Sequence, residues 1–258
     1  MPDADLVKEN HASFVAQILM PLPDHDFDPT EAAIPWMECT ARGWNVAIST
    51  ELGNIPQADQ NKLKGPLPGL ISASATAREA YRQMSQDAAF LHPIPYAEIT
   101  PTQFDALLLP GGDGLRVRQY LESKILQGKV LQFYLQDKMI GAICHGVLVL
   151  ARTLDPETGH SILFAHKVTA VPKLLDRMGF NVDRWFIKHG YIMYSSCVED
   201  EVRATLQNPA DFSTGNLLSP YVVCDGNLVT SRTYMDAEVF ARRFANALQK
   251  KMQQPSSG

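Results

Sequence analysis

Short, almost uninterrupted apolar runs recur along this chain, spaced so that one helix fits between each pair. The runs FVAQILM (14–20), WNVAIS (44–49), FDALLLP (104–110) and MIGAI (139–143) are too short for helices and lack the alternation of a half-exposed strand. Runs of that kind suit strands buried on both faces, as in a parallel sheet covered by helices. The intervening segments supply the helices. TEAAIPWMECTARG (30–43) predicts one ending at Gly43, since glycine is the residue most common just past a helix end. A helical stretch running to about residue 136 sets Leu126, Val130, Phe133 and Tyr134 on one face. SATAREAYRQM (74–84) predicts a further helix, and DAEVFARRFANALQ (236–249) spaces Ala237, Phe240, Ala241, Phe244 and Leu248 for burial. Strands alternating with helices in this way imply βαβ units and an α/β fold with a mostly parallel sheet.

Two stretches fit that alternation less well. Residues 52–100 are rich in Pro, Gly, Ser, Gln and Asp, and residues 153–220 hold one short strand-like run, KVTAV (167–171), in polar sequence. Both are expected to be elaborations around one sheet, so that 1–258 forms a single domain. Near the end, YVVCDGNLVTS (221–231) predicts a hairpin, with Asp225-Gly226 suited to a type I′ turn.

Composition closes off several function classes. With 23 Lys plus Arg against 28 Asp plus Glu, the net charge of −5 provides no basic field for nucleic acid or an anionic membrane. No apolar run reaches bilayer-spanning length, and the polar, partly acidic start differs from the basic head of a signal peptide. A cytoplasmic protein is expected. The 4 cysteines form no C-x-x-C pair and have no histidine at zinc-finger spacing, so no metal site is expected. Cys39, Cys197 and Cys224 read as reduced, buried thiols.

Cys144 reads differently. It stands between the strand-like MIGAI and the helix-like VLVLA, in the sequence MIGAICHGVLVLAR (139–152). A sharp strand-to-helix turn, the nucleophile elbow, exposes its central side chain and aims free N–H groups at it. At a helix start the thiol is expected to be acidified. Ligands of open parallel sheets bind beyond the carboxyl ends of the strands, and two further groups lie just past such ends. Pro110-Gly111-Gly112 follows the third run, where glycines serve either a simple turn or close backbone approach. The N–H groups of Gly112 and His145 then form a candidate oxyanion hole above Cys144. Glu31 follows the first run, and two roles compete for it. DPTE (28–31) has the form of a capping box with Asp28 as N-cap and Pro29 at N1; alternatively, a buried Glu31 carboxyl beside the thiol could give and take protons. His145, as a general base, would need an orienting carboxylate, for which Asp176 at the end of KVTAVPKLLD is a candidate; a surface acid on a helix fits the same spacing.

Taken together, FDALLLPGGDG, GAICHGVLVLARTLDPETGHSI, DPTEAAIPW and DGNLVTS resemble the DJ-1/PfpI family, and especially its Hsp31-like branch. The segments occur in the family's order and cover most of the chain. The resemblance implies a flavodoxin-like three-layer sandwich of the glutamine amidotransferase-like kind, with Cys144 as nucleophile, His145 as its partner, Glu31 as the buried glutamate and Gly112 as an oxyanion donor. It also implies Asp176 as the acid of a Cys-His-acid triad, although many relatives carry glutamate there. The implied activity is that of a glutathione-independent glyoxalase converting methylglyoxal to lactate, with no metal and no cofactor. Relatives often dimerise, so a homodimer is among the expectations. Two alternatives stay open: a stress chaperone or redox sensor using Cys144, and a cysteine hydrolase or amidase of the same family. A glutamine amidotransferase is disfavoured, because no H-x-E occurs and no histidine follows His189.

Overall fold

The computed structural model describes residues 15–65, 67–69, 72–178 and 197–254. In chain order the strands are β1 (Gln17–Pro21), β2 (His25–Phe27), β3 (Asn45–Thr50), β4 (Gln57–Ala58), β5 (Ile94–Pro95), β6 (Ala106–Leu109), β7 (Met139–Ile143), β8 (Val222–Asp225) and β9 (Leu228–Ser231). The helices are α1 (Pro29–Ala41), α2 (Gln60–Lys64), α3 (Ala75–Met84), α4 (Ala88–Leu91), α5 (Arg118–Glu122), α6 (Lys124–Leu135), α7 (Val147–Ala151), α8 (described over 173–178), α9 (Val198–Thr205) and α10 (Ala237–Gln253).

Seven strands form one sheet in the order β5-β3-β1-β6-β7-β9-β8, while β2 and β4 pair separately. All pairings in the large sheet are parallel except β8 with β9. α1 packs against α3 and α10, and α7 packs against α5, α6 and α9, so helices flank the sheet. The α/β architecture is the one expected from the apolar runs. Ala106, Leu107, Leu108 and Leu109 of β6 are all buried, as are all five residues of β7. A parallel strand covered on both faces has no solvent side to populate with polar residues. The predicted α10 stripe of Ala237, Phe240, Ala241, Phe244 and Leu248 is buried throughout.

Several local expectations are corrected. The strand of the first run spans Gln17–Pro21, with Val15 exposed ahead of it and Phe14 outside the described residues. KVTAV makes no ladder among the described residues, only a single bridge from Val168 to Phe212. Within 52–100, the short β5 extends the main sheet by pairing with the end of β3. Within 153–220, the polar segment VEDEVRAT forms α9. The hairpin turn sits one residue later than predicted. Asp225 pairs with Leu228, leaving Gly226 and Asn227 as the loop, and of these only Gly226 has positive φ. That pattern matches a type II′ turn. Cys224 is exposed and Cys197 half-buried, so of the three cysteines expected inside only Cys39 is buried.

Strand order places the candidate site. β1, β6 and β7 are neighbours and run parallel, so their carboxyl ends open side by side. Whatever follows each of the three strands must meet there.

Candidate active site

Cys144 directly follows β7 and adopts φ 59°, which non-glycine residues rarely take up. It opens a single 3-10 turn (Cys144–Gly146) that runs into α7, so the elbow predicted from the sequence is present. Its side chain is not broadly exposed: the residue keeps 8% of its accessible surface. The expected acidification is also absent. Burial first, then the charges of Glu31 and Asp113, push the thiol well above its ordinary range. The helix that follows is only five residues long, and three acids surround the sulfur, so helix-end polarity is outweighed.

Glu31 resolves its two competing roles in an unexpected way. Asp28 does cap α1, its Oδ1 accepting from the N–H groups of Thr30 at 2.7 Å and Glu31 at 3.2 Å. A capping box would send the Glu31 carboxyl back to the Asp28 N–H. That N–H donates instead to the Gly111 carbonyl at 3.0 Å, and Glu31 Oε2 accepts from the Gly111 N–H at 3.0 Å. The cap is therefore one-sided, which frees the Glu31 carboxyl to hydrogen-bond the Cys144 thiol. Glu31 is 1% exposed, and burial with the nearby Asp28 charge raises its pKa well above the usual carboxylate range. The shift favours the protonated acid over the carboxylate.

Gly111 has to be glycine. A Cβ there would lie 2.8 Å from the His145 nitrogen, 2.9 Å from Cys144 Cβ and 2.9 Å from Glu31 Oε2. Its N–H is taken by Glu31, whereas among the described residues no hydrogen bond occupies the N–H of Gly112 or His145. Those are the two donors singled out from the sequence for an oxyanion.

His145 is buried, with Nδ1 3.4 Å from Cys144 Sγ. Burial lowers its pKa, so the ring is neutral and able to take the thiol proton; the carboxylates of Asp176 and Asp113 pull in the other direction. Asp176 thus lies within electrostatic reach of His145. No hydrogen bond joins them, and Asp176 Oδ2 accepts from the Val198 N–H at the start of α9, 3.1 Å away. The structure therefore brings Cys144, His145, Glu31 and Gly111 together, with Gly112 next along the chain, and leaves Asp176 within electrostatic reach of His145 while its carboxylate serves a helix end.

Three groups around the thiol were not singled out from the sequence. Asp113, the residue after Gly112, pairs with Lys62 of α2 at 2.8 Å. This ion pair acts on Asp28, His145 and Tyr234 alike. Asp113 sits inside the PGGDG segment and was legible there as a polar residue beyond a strand end. Lys62 lies in the Pro- and Gly-rich region, where no local pattern marks it. Tyr234, before α10, feels the charges of the same cluster and, with Thr30, also lines a neighbouring cavity of about 360 Å³. Among the described residues, no group of three or more His, Cys, Asp or Glu side chains is placed to hold a metal ion. Nor is any described helix long and apolar enough to cross a membrane.

The sequence model of a family described as ThiJ/PfpI family-like matches residues 22–204, well over half of the chain. The chain belongs to the ThiJ/PfpI family. Among solved structures similar to this ThiJ/PfpI chain, Rapid Encystment Protein 24 KDa of Francisella tularensis superposes with a TM-score of 0.72 at 19% identity, over 91% of this chain and 99% of that one. Glyoxalase III from Candida albicans superposes with a TM-score of 0.69 at 17% identity, over 90% and 97% respectively. At such identities the likeness is one of fold. An uncharacterized protein of Schizosaccharomyces pombe is 31% identical over 114 residues, a stretch that covers 43% of each protein.

Proposed function

We propose that this protein is a cysteine-dependent enzyme for small carbonyl substrates, converting methylglyoxal to lactate without glutathione. The observation that carries the reading is a buried carboxyl, Glu31, its pKa raised by burial, hydrogen-bonded to a thiol that also has an imidazole nitrogen 3.4 Å away. The fold shared with a glyoxalase III supports it.

The steps balance with these groups alone. His145 takes the Cys144 proton as the sulfur bonds to the aldehyde carbon, and Glu31 gives its proton to the carbonyl oxygen, leaving a hemithioacetal. Ionised Glu31 then removes the hydrogen from that carbon while His145 returns its proton to the neighbouring oxygen, giving an enediol. Glu31 delivers the carbon-derived proton to the second carbon and receives the hydroxyl proton of the first, which becomes a thioester. Water, with His145 as base, cleaves the carbon–sulfur bond to release lactate and restore the thiol. No net oxidation occurs. The N–H groups of Gly112 and His145 would bear the oxyanions, and Asp176 would hold the imidazolium through charge alone.

A redox sensor fits the site less well. Sensor cysteines are exposed and low in pKa, whereas Cys144 is almost enclosed and its pKa is raised. The test is lactate formation from methylglyoxal without glutathione, with Cys144→Ser alongside. Activity in the wild type alone is the expected result. Absence of thiol-dependent turnover on methylglyoxal would overturn the glyoxalase reading, and cleavage of esters or amides instead would favour the hydrolase.

A further inference from the structure

Asp26, in the middle of β2, adopts φ 68°, the sparsely populated backbone region that Cys144 also occupies. Aspartate tolerates this conformation better than most residues, yet it still costs free energy, so contacts around it must enforce it. The contacts that do so here come from the loop after β6, the same loop that carries Gly111 and Gly112.

Two glycines of that loop are pressed against this one residue. A Cβ at Gly112, whose φ is 153°, would lie 2.6 Å from the Asp26 carbonyl oxygen and 3.0 Å from Phe27 Cα; a Cβ at Gly114 would lie 2.5 Å from Asp26 Cβ. The chain then enters the 3-10 turn Leu115–Val117, closed by the Val117 N–H donating to the Gly114 carbonyl at 3.0 Å. From that turn Arg116 reaches back to the Asp26 carboxylate with both prongs of its fork, Nη2 donating to Oδ1 at 2.6 Å and Nε to Oδ2 at 2.9 Å. Ion pairs near a surface usually contribute little to stability, but a two-pronged arginine–carboxylate pair fixes orientation as well as charge. Gly111 is secured independently, its N–H by Glu31 and its carbonyl by the Asp28 N–H. The Gly112 N–H has no such bond among the described residues, so packing against Asp26 is what holds that peptide in place.

We propose that Asp26 and Arg116 are positioning residues for the oxyanion donor Gly112. The Arg116 fork holds the Asp26 carboxylate, which keeps the Asp26 backbone at positive φ and its carbonyl as the wall against which Gly112 lies. The Gly112 N–H is thereby fixed before any charge develops on a substrate oxygen. A donor already in place needs no reorganisation during the reaction, which is where such donors gain their effect. Neither side chain touches substrate. The role rests on the reading of Gly112 as an oxyanion donor and adds to it the residues that aim the N–H.

Arg116→Gln tests this directly, since the Arg116 side chain is 61% exposed and its loss opens no void in the core. The decisive readout does not depend on turnover: the backbone N–H order parameter of Gly112, measured by NMR relaxation in wild type and R116Q. A rigid value of about 0.85 is expected in wild type and one below about 0.6 in the variant, while Gly111 stays rigid in both because Glu31 and Asp28 still hold it. The thermal midpoint is expected to move by less than about 2 °C. With any carbonyl substrate the enzyme accepts, kcat is expected to fall about tenfold at unchanged KM, less than the outright loss of an oxyanion donor would cause. Asp26→Asn, which keeps a residue tolerant of positive φ but removes the charge and one acceptor, is expected to match R116Q, and the double variant to be no worse than either. An unmoved Gly112 order parameter in R116Q would overturn the proposal, as would a loosened Gly112 with kcat unchanged. So would equal loosening of Gly111 with a fallen thermal midpoint, because the pair would then support the fold in general. If the wild type turns over no carbonyl substrate while Gly112 alone loosens, the enzyme reading falls and the hold of Asp26 and Arg116 on Gly112 stands.

Discussion

Cys39 and Cys144 are both buried, both free and both held as thiols at neutral pH, yet they occupy chemically different regions of the molecule. Cys39 lies within α1 in the packed interior. Burial, with Glu38 adding its charge, pushes its pKa up to about 12, and Arg42 is the nearby opposing cation. Cys144 sits where three strand ends open, with an imidazole nitrogen at 3.4 Å and a buried carboxyl of raised pKa hydrogen-bonded to it. Burial alone makes a thiol inert. In the proposed function, burial beside a proton acceptor and a proton donor would let the thiol ionise as a substrate arrives, because the proton has somewhere to go.

The largest test of that contrast is selective chemistry. Iodoacetamide is expected to label Cys144 and leave Cys39 untouched in the folded protein, and Cys144→Ser to lose all thiol-dependent turnover. Labelling of Cys39 at a comparable rate, read by peptide mass analysis, would erase the distinction. Next in size is Glu31→Gln. The amide oxygen can still accept from the Gly111 N–H, so the fold should persist, while turnover falls by about 10²–10⁴-fold through loss of the acid. Near-normal steady-state rates in that variant would reduce Glu31 to a structural group.

Asp28 sharpens the contrast from the side of stability. Burial raises its pKa from 3.8 to about 6. An acid whose folded pKa lies above its unfolded one costs nothing below the unfolded value; the penalty grows as pH rises to the folded value and is complete beyond it. Its full size is about 3 kcal/mol. Asp28→Asn keeps a capping oxygen, so relative to wild type its unfolding free energy should rise by roughly that amount between pH 4 and pH 7. A pH-independent difference in urea denaturation would mean that Asp28 is already ionised without penalty. Cys39→Ala should cost about 1 kcal/mol by leaving a small void, with kcat unaffected. The smallest effect is expected at the rim. Lys62 holds the His145 pKa down while Asp113 raises it, so Lys62→Met should move the acidic limb of the pH–rate profile to higher pH, by less than about one unit. A shift to lower pH would show that the Lys62 charge does not hold the His145 pKa down.

Much of this site was readable before any tertiary structure. The elbow follows from MIGAI, a strand-length apolar run, meeting VLVLA through Cys-His-Gly, and both are local patterns. Glu31 was readable only as a choice, because DPTE serves a cap and a catalytic acid equally well. The choice is made by Gly111, which lies eighty residues away and takes the carboxyl while its carbonyl takes the Asp28 N–H. The expected acidity of Cys144 came from the helix start alone; three surrounding acids and near-complete burial reverse it. Asp176 was placed by a short stretch of sequence, and the structure gives its carboxylate to the start of α9 while leaving its charge within reach of His145.

What the sequence by itself determined is therefore what depends on near neighbours along the chain: the buried strands of a parallel sheet, the helices between them, and a cysteine at a strand-to-helix turn. Periodicity and turn chemistry act over a few residues, so a linear reading captures them. The tertiary structure decided which titrating groups are shifted by burial, as at Glu31 and Cys144, and which charges pair, as at Lys62 and Asp113. Desolvation and Coulomb interaction depend on everything packed within several ångströms, and strand order, not chain position, sets who those neighbours are.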